Sequence, residues 1–184
     1  GEQDLTIWDN AFYTFRGTSI TAVNIPSRAT YIGFKAFSSA VLGFSNLAIL
    51  TFDAGDKDLT IRTGAFQGTI ITAVIIPSRA TSIGSGAFKD CARLTELTLA
   101  DGAQPLTIGM EAFQATSITA VNIPSRTRSI GERAFFSCTH LASVTFEAGE
   151  GGLDIDCHAF DQTALNCLDY PEHAVRDQSC SEDG

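Results

Sequence analysis

Seven units of the form Ile-x-x-x-Ala-Phe span this chain, ending at Phe12, Phe37, Phe66, Phe88, Phe113, Phe135 and Phe160. Self-similarity at this spacing restricts the fold to a coil of stacked turns. A single unit cannot bury its own apolar face, so neighbouring turns must supply the core. A second pattern, apolar-x-x-apolar-x-apolar, follows every unit, as in Ile71-Val74-Ile76 and Leu94-Leu97-Leu99. Length varies only between these modules: successive Phe residues lie 25, 29, 22, 25, 22 and 25 apart. A 47-residue double repeat therefore runs from Leu59 to Leu106 and again to Leu153, while the first, Leu5 to Leu59, carries seven extra residues. Fixed modules with variable connections are what stacked turns require, since edges can bulge where cores cannot.

The last three apolar positions of the second pattern alternate with period two, which predicts strands. Stacked at about 4.8 Å, they would form one continuous parallel sheet. A shorter second edge is expected from Leu-Thr-Ile (Leu5–Ile7, Leu59–Ile61, Leu106–Ile108), alternating with Tyr31-Ile32, Ser82-Ile83 and Ser129-Ile130. The Ala-Phe segments read as short helical turns on the opposite face. Pro26, Pro77 and Pro124 close three strands, because proline has no N–H to give a ladder. The expected fold class is α/β, rich in β: a solenoid of seven stacked turns with a parallel sheet on one face and short helical turns opposite. It would occupy residues 1–173, with an acidic tail at 174–184.

Turns of the form Leu-x-x-Val-x-Ile-Pro-Ser…Ile-Gly-x-x-Ala-Phe-x-x-Cys resemble the BspA-type leucine-rich repeats. Residues 82–99 (SIGSGAFKDCARLTELTL) and 118–146 carry the pattern almost unbroken, and a weaker form covers roughly residues 5–170. The resemblance implies a leucine-rich-repeat solenoid, and mainly cell-surface or secreted adhesion and recognition proteins. The departure is the strict alternation of 22- and 25-residue turns, with Cys only in the longer ones.

A hydrophobic fraction of 44% fits a folded chain rather than a disordered one. No apolar run approaches the length of a membrane span; the densest, Ile70–Ile76, is strand-sized. Beginning at Gly1 with neither Met nor a signal-peptide pattern, the chain reads as a processed form or an excised fragment. The net charge of −9 excludes the basic stripe that nucleic acid calls for. Arg28, Arg79 and Arg126 fall in alternate turns, with Asp53, Asp101 and Glu147 between them. Stacking would make these an exposed ladder of opposite charges, or a cation-lined ligand edge.

Cys91 and Cys138 share one repeat position and lie two turns, about 10 Å, apart, too far for a disulfide. They read as buried thiols. Cys157, Cys167 and Cys180 crowd the C-terminal end without zinc-ligand spacing, and Cys180 paired with Cys157 or Cys167 would cap the last turn. His140, His158 and His173 stand in unrelated positions with no metal-site or nucleophile–base spacing. Cys157-His158 adjacency raises a thiolate–imidazole pair only weakly, since sequence neighbours usually point apart. Asp53-Ala-Gly-Asp56-Lys-Asp58 lacks the spacing of a calcium loop and reads as a solvated turn. No catalytic residue, cofactor site or metal site is assigned, and the chain is not read as an enzyme.

Two surfaces are candidates for a protein partner. The outward column of the sheet, Asn24, Thr51, Ile75, Thr98, Asn122 and Thr145, is flat, small and mostly neutral, without the Trp, Tyr and Arg anchors of tight interfaces. Such a face also admits glycan or ice. The other is the N-terminal edge, where the extra residues bring Tyr13, Phe15, Val41, Leu42 and Phe44. They either cap the open end of the coil or dock it, as a structural accessory subunit, into a larger complex. The expected location is extracellular or at the cell surface, with an organelle lumen as the alternative for a complex subunit.

Overall fold

Leu-Thr-Ile places two large aliphatic side chains on one side of an extended segment and a hydroxyl on the other. The same edge is continued by Ala-Thr-x-Ile, whose Ala and Ile are buried in each described copy. In a computed structural model, which describes residues 5–7, 20–39, 46–149, 151–165 and 174–176, these segments build the main sheet. Its strands are β1 (Leu5–Ile7), β3 (Ala29–Ile32), β5 (Leu59–Ile61), β7 (Ala80–Ile83), β9 (Leu106–Ile108), β11 (Thr127–Ile130), β13 (Leu153–Ile155) and β14 (Ala174–Arg176). They pair in that order, all parallel, in one eight-stranded sheet. The sheet thus continues into the stretch that the sequence reading set apart as a tail.

The apolar-x-x-apolar-x-apolar segments form β2 (Ala22–Ile25), β4 (Ile49–Phe52), β6 (Ala73–Ile76), β8 (Glu96–Leu99), β10 (Ala120–Ile123) and β12 (Ser143–Phe146). They do not make the continuous sheet expected. They pair two by two, β2 with β4, β6 with β8 and β10 with β12. The cause is proline. Each pair is closed at its end by the N–H of the residue after the second strand: Asp53 to Ile25 O, Ala100 to Ile76 O, Glu147 to Ile123 O. Across β4–β6 and β8–β10 the residue in that position is Pro77 or Pro124, which has no hydrogen to donate. The edge expected to be minor is the continuous one, and the edge expected to be continuous is broken.

The helical turns are also corrected, since the described residues contain no helix. Among the described residues, the residue before each repeat Ala has positive φ (Lys35, Gly64, Gly86, Glu111, Arg133, His158), and from Phe66 on the second residue after each repeat Phe does too (Gly68, Asp90, Ala115, Ser137, Gln162). A left-handed residue every fourth position breaks a right-handed helix. The freed N–H groups instead reach the next turn of the coil. Gly64, Phe66 and Gly68 donate to Ser85 O, Ala87 O and Lys89 O, and later turns repeat the scheme. Glycine is needed for a different reason at Gly84 and Gly131, where a Cβ would come within 2.6–2.7 Å of backbone atoms of the preceding turn.

Between the sheets lies the core. Phe37, Phe66, Phe88, Phe113, Phe135 and Phe160 form one column of stacked rings, with centroids 5.2–5.4 Å apart. Each offset-stacked pair contributes about 0.5–1.5 kcal/mol beyond its burial. Six turns carry this column. Phe12, of the first expected unit, lies outside the described residues.

Candidate functional site

The outward side chains of the paired strands are the exposed face of the coil. All six residues expected on it, Asn24, Thr51, Ile75, Thr98, Asn122 and Thr145, are exposed. They do not form one uniform column. Asn24 Nδ2 donates to Asp53 Oδ1 at 3.0 Å, and Thr51 Oγ1 donates to Asn24 Oδ1 at 2.8 Å. The third pair repeats this arrangement: Asn122 Nδ2 donates to Glu147 Oε1 at 2.6 Å, and Thr145 Oγ1 to Asn122 Oδ1 at 2.9 Å. The middle pair has Ile75 where the others have Asn, so the polar network is interrupted there.

That interruption coincides with the gap between β4 and β6. A groove of about 470 Å³ opens along it, and its lining includes Ile49, Thr51, Thr72, Ala73, Ile75 and Pro77. Ile49 is 57% and Ile75 63% exposed; with Met110 these are the large apolar side chains left open among the described residues. Ile49 was legible as an outward residue, but nothing in periodicity alone marked it. The usable signal was Pro77, placed where the neighbouring strand needs a donor.

The expected charge ladder does not form. Arg79 and Arg126 are buried, each 4% exposed, and their guanidinium groups serve backbone carbonyls rather than neighbouring carboxylates. Burial pulls both side chains below the usual arginine range, an effect that Asp53 and Asp101 respectively oppose. Asp53 and Glu147 are held by the asparagines described above, and Asp101 accepts from Gly102 N.

Cys91 and Cys138 are buried free thiols. Each Sγ donates to a main-chain oxygen, Phe66 O at 3.2 Å and Phe113 O at 3.1 Å, and each lies 3.2 Å from a threonine hydroxyl, Thr69 or Thr116. Cys157 is disulfide-bonded, which removes the thiolate–imidazole pair with His158. His158 Nδ1 instead meets Asp161 Oδ2 at 2.5 Å. Cys167, Cys180 and His173 lie outside the described residues, as do Tyr13, Phe15, Val41, Leu42 and Phe44. Among the described residues no three His, Cys, Asp or Glu side chains converge as metal ligands, and no helix is long and apolar enough to cross a membrane.

Residues 6–54 and 59–179 match the family model of the BspA type leucine rich repeat region, in six copies. The chain belongs to the BspA-type leucine-rich repeat family. Among solved structures, this BspA-type chain is similar to a leucine rich cell surface protein from Faecalibacterium prausnitzii A2-165, at 18% identity and a TM-score of 0.43. The similarity covers 94% of this chain and 63% of that one. No curated protein matches.

Proposed function

We propose that this BspA-type coil is a surface-displayed, non-enzymatic protein-recognition scaffold whose contact site is the β4–β6 groove on the outer face. The observation that carries this reading is the exposure of Ile49 and Ile75 over that groove. Ile49 and Ile75 lie together beside an apolar-lined groove, so their burial by a partner would be favourable. The flanking Asn–Thr networks are already satisfied internally, so they act as a polar rim around an apolar centre. A glycan or ice lattice would need the polar column to run unbroken, and Ile75 interrupts it. The family resemblance supports surface display, as in adhesion and recognition proteins.

The test is the double substitution Ile49→Ser/Ile75→Ser, with Met110→Ser as the control. Quantitative pull-down from native source material should lose the partner with the first and keep it with the second, both at unchanged melting temperature. Equal capture by all three proteins contradicts the groove as the site. Docking as an accessory subunit through Tyr13, Phe15, Val41, Leu42 and Phe44 would appear as a stable large assembly in size-exclusion chromatography of native extract. For the disulfide of Cys157, we propose that the C-terminal end is tied through Cys180 or Cys167, and non-reducing peptide mapping identifies the pair.

A further inference from the structure

The middle strand pair, β6–β8, departs from its two neighbours at three positions. Where β2–β4 and β10–β12 have Asn24 and Asn122, it has Ile75. The acid that those asparagines hold, Asp53 or Glu147, follows the second strand of its pair. In the same place after β8 stands Ala100, whose N–H closes the pair as theirs do. The third departure is Glu96. The equivalent outward residue in the other strands is Ala22, Ile49, Ala73, Ala120 or Ser143, so Glu96 is the one charge at the outward positions of all six. No Lys or Arg stands among them.

Glu96 also differs from Asp53 and Glu147 in what holds it. They accept from asparagines at 3.0 and 2.6 Å, whereas the exposed Glu96 side chain makes no hydrogen bond or ion pair to any described residue. Register sets it opposite Ala73, which lines the groove. Ile75, two residues on from Ala73, is one strand across from Glu96 and about 8 Å away by the spacing of strands and residues. The groove therefore has an aliphatic pair, Ile49 and Ile75, at its centre and a free carboxylate on its β8 side. The net charge of −9 adds to the attraction for a cation there.

Resting on the reading of the β4–β6 groove as the contact site, we propose that its occupant is a peptide segment of a partner protein in which an aliphatic or aromatic residue stands beside a lysine or arginine. The apolar residue fills the groove between Ile49 and Ile75. The neighbouring cation lays its methylene stem over Ile75 and brings its charge to Glu96, as long basic side chains do on apolar surface. The apolar contact supplies most of the affinity, and charge sets the choice between partners. An acidic segment meets Glu96 as a like charge and is rejected.

The experiment selects a displayed library of random linear peptides on the protein and re-screens each enriched clone on Ile49→Ser/Ile75→Ser and on Glu96→Lys. The expected clones lose binding to the isoleucine variant and carry Lys or Arg beside an aliphatic or aromatic residue. They bind Glu96→Lys about tenfold more weakly. Exchanging the peptide's Lys or Arg for Glu should reverse that preference, which lost packing at Glu96 alone would not do. Groove-dependent clones that are neutral or acidic, or that bind Glu96→Lys equally well, overturn the proposal and leave the groove as the site. The absence of any groove-dependent clone overturns both. Self-association of the protein, seen by sedimentation and lost in Ile49→Ser/Ile75→Ser, makes a second copy the occupant and also overturns the proposal.

Discussion

Cys91 is held in a position that disfavours its charged form. Burial pushes its pKa from the ordinary 9.0 up to about 11, against the lowering effect of the Thr69 hydroxyl and nearby main chain; burial also raises Cys138. A folded-state pKa raised above the unfolded value gives stability that is complete below pH 9 and lost as pH climbs toward 11. Unfolding free energy should therefore fall by about 1.4 kcal/mol per pH unit through that window for Cys91 alone. Urea titrations at several pH values check this, and Cys91→Ala/Cys138→Ala should flatten the slope; an unchanged slope contradicts it. The burial of these thiols was legible in the sequence, because both occupy one repeat position beside a core Phe. The burial of Arg79 and Arg126 was not, because a periodic Arg reads as a surface charge until its acceptors, about 50 residues away, are in view.

The turns after each Ile are where sequence and structure part. Segments such as Met110-Glu111-Ala112-Phe113-Gln114-Ala115 are composed of good helix formers, so propensity favours a helix. Tertiary context overrides it. Turns of the coil lie side by side, and every second N–H is drawn to a carbonyl of the next turn, which leaves Glu111 and Ala115 in the left-handed region. Three of the left-handed positions already hold Gly, at Gly64, Gly68 and Gly86. Ala115, at φ 56°, has a Cβ that the conformation penalises. Ala115→Gly should stabilise the protein by about 1 kcal/mol and raise its melting temperature by about 2–4 °C. Thermal unfolding by circular dichroism measures this, and a lowered melting temperature would show that the turn is not strained as described. The paired strands teach the same lesson. Pro77 and Pro124 were legible as strand ends, but their effect on the adjacent strand depends on a neighbour that linear order does not reveal.

At the scale of the whole molecule, the coil joins one unbroken sheet to one broken sheet through a continuous column of Phe rings. The unbroken sheet and the core give rigidity. The broken face is where regularity yields, at the β4–β6 gap with Ile49 and Ile75 beside it. The repeat made the coil and its core legible, since strict periodicity maps directly onto stacking. The groove was not, because it arises from a missing hydrogen bond rather than from a distinctive side chain. Amide hydrogen exchange in the native protein tests the break most directly. The N–H groups of Val74 and Ile76 face β8, whereas that of Ile75 faces the gap toward β4. Rapid exchange at Ile75 between two protected neighbours is the expected result; protection at Ile75 equal to theirs would mean that β4 and β6 are paired and that the groove is closed.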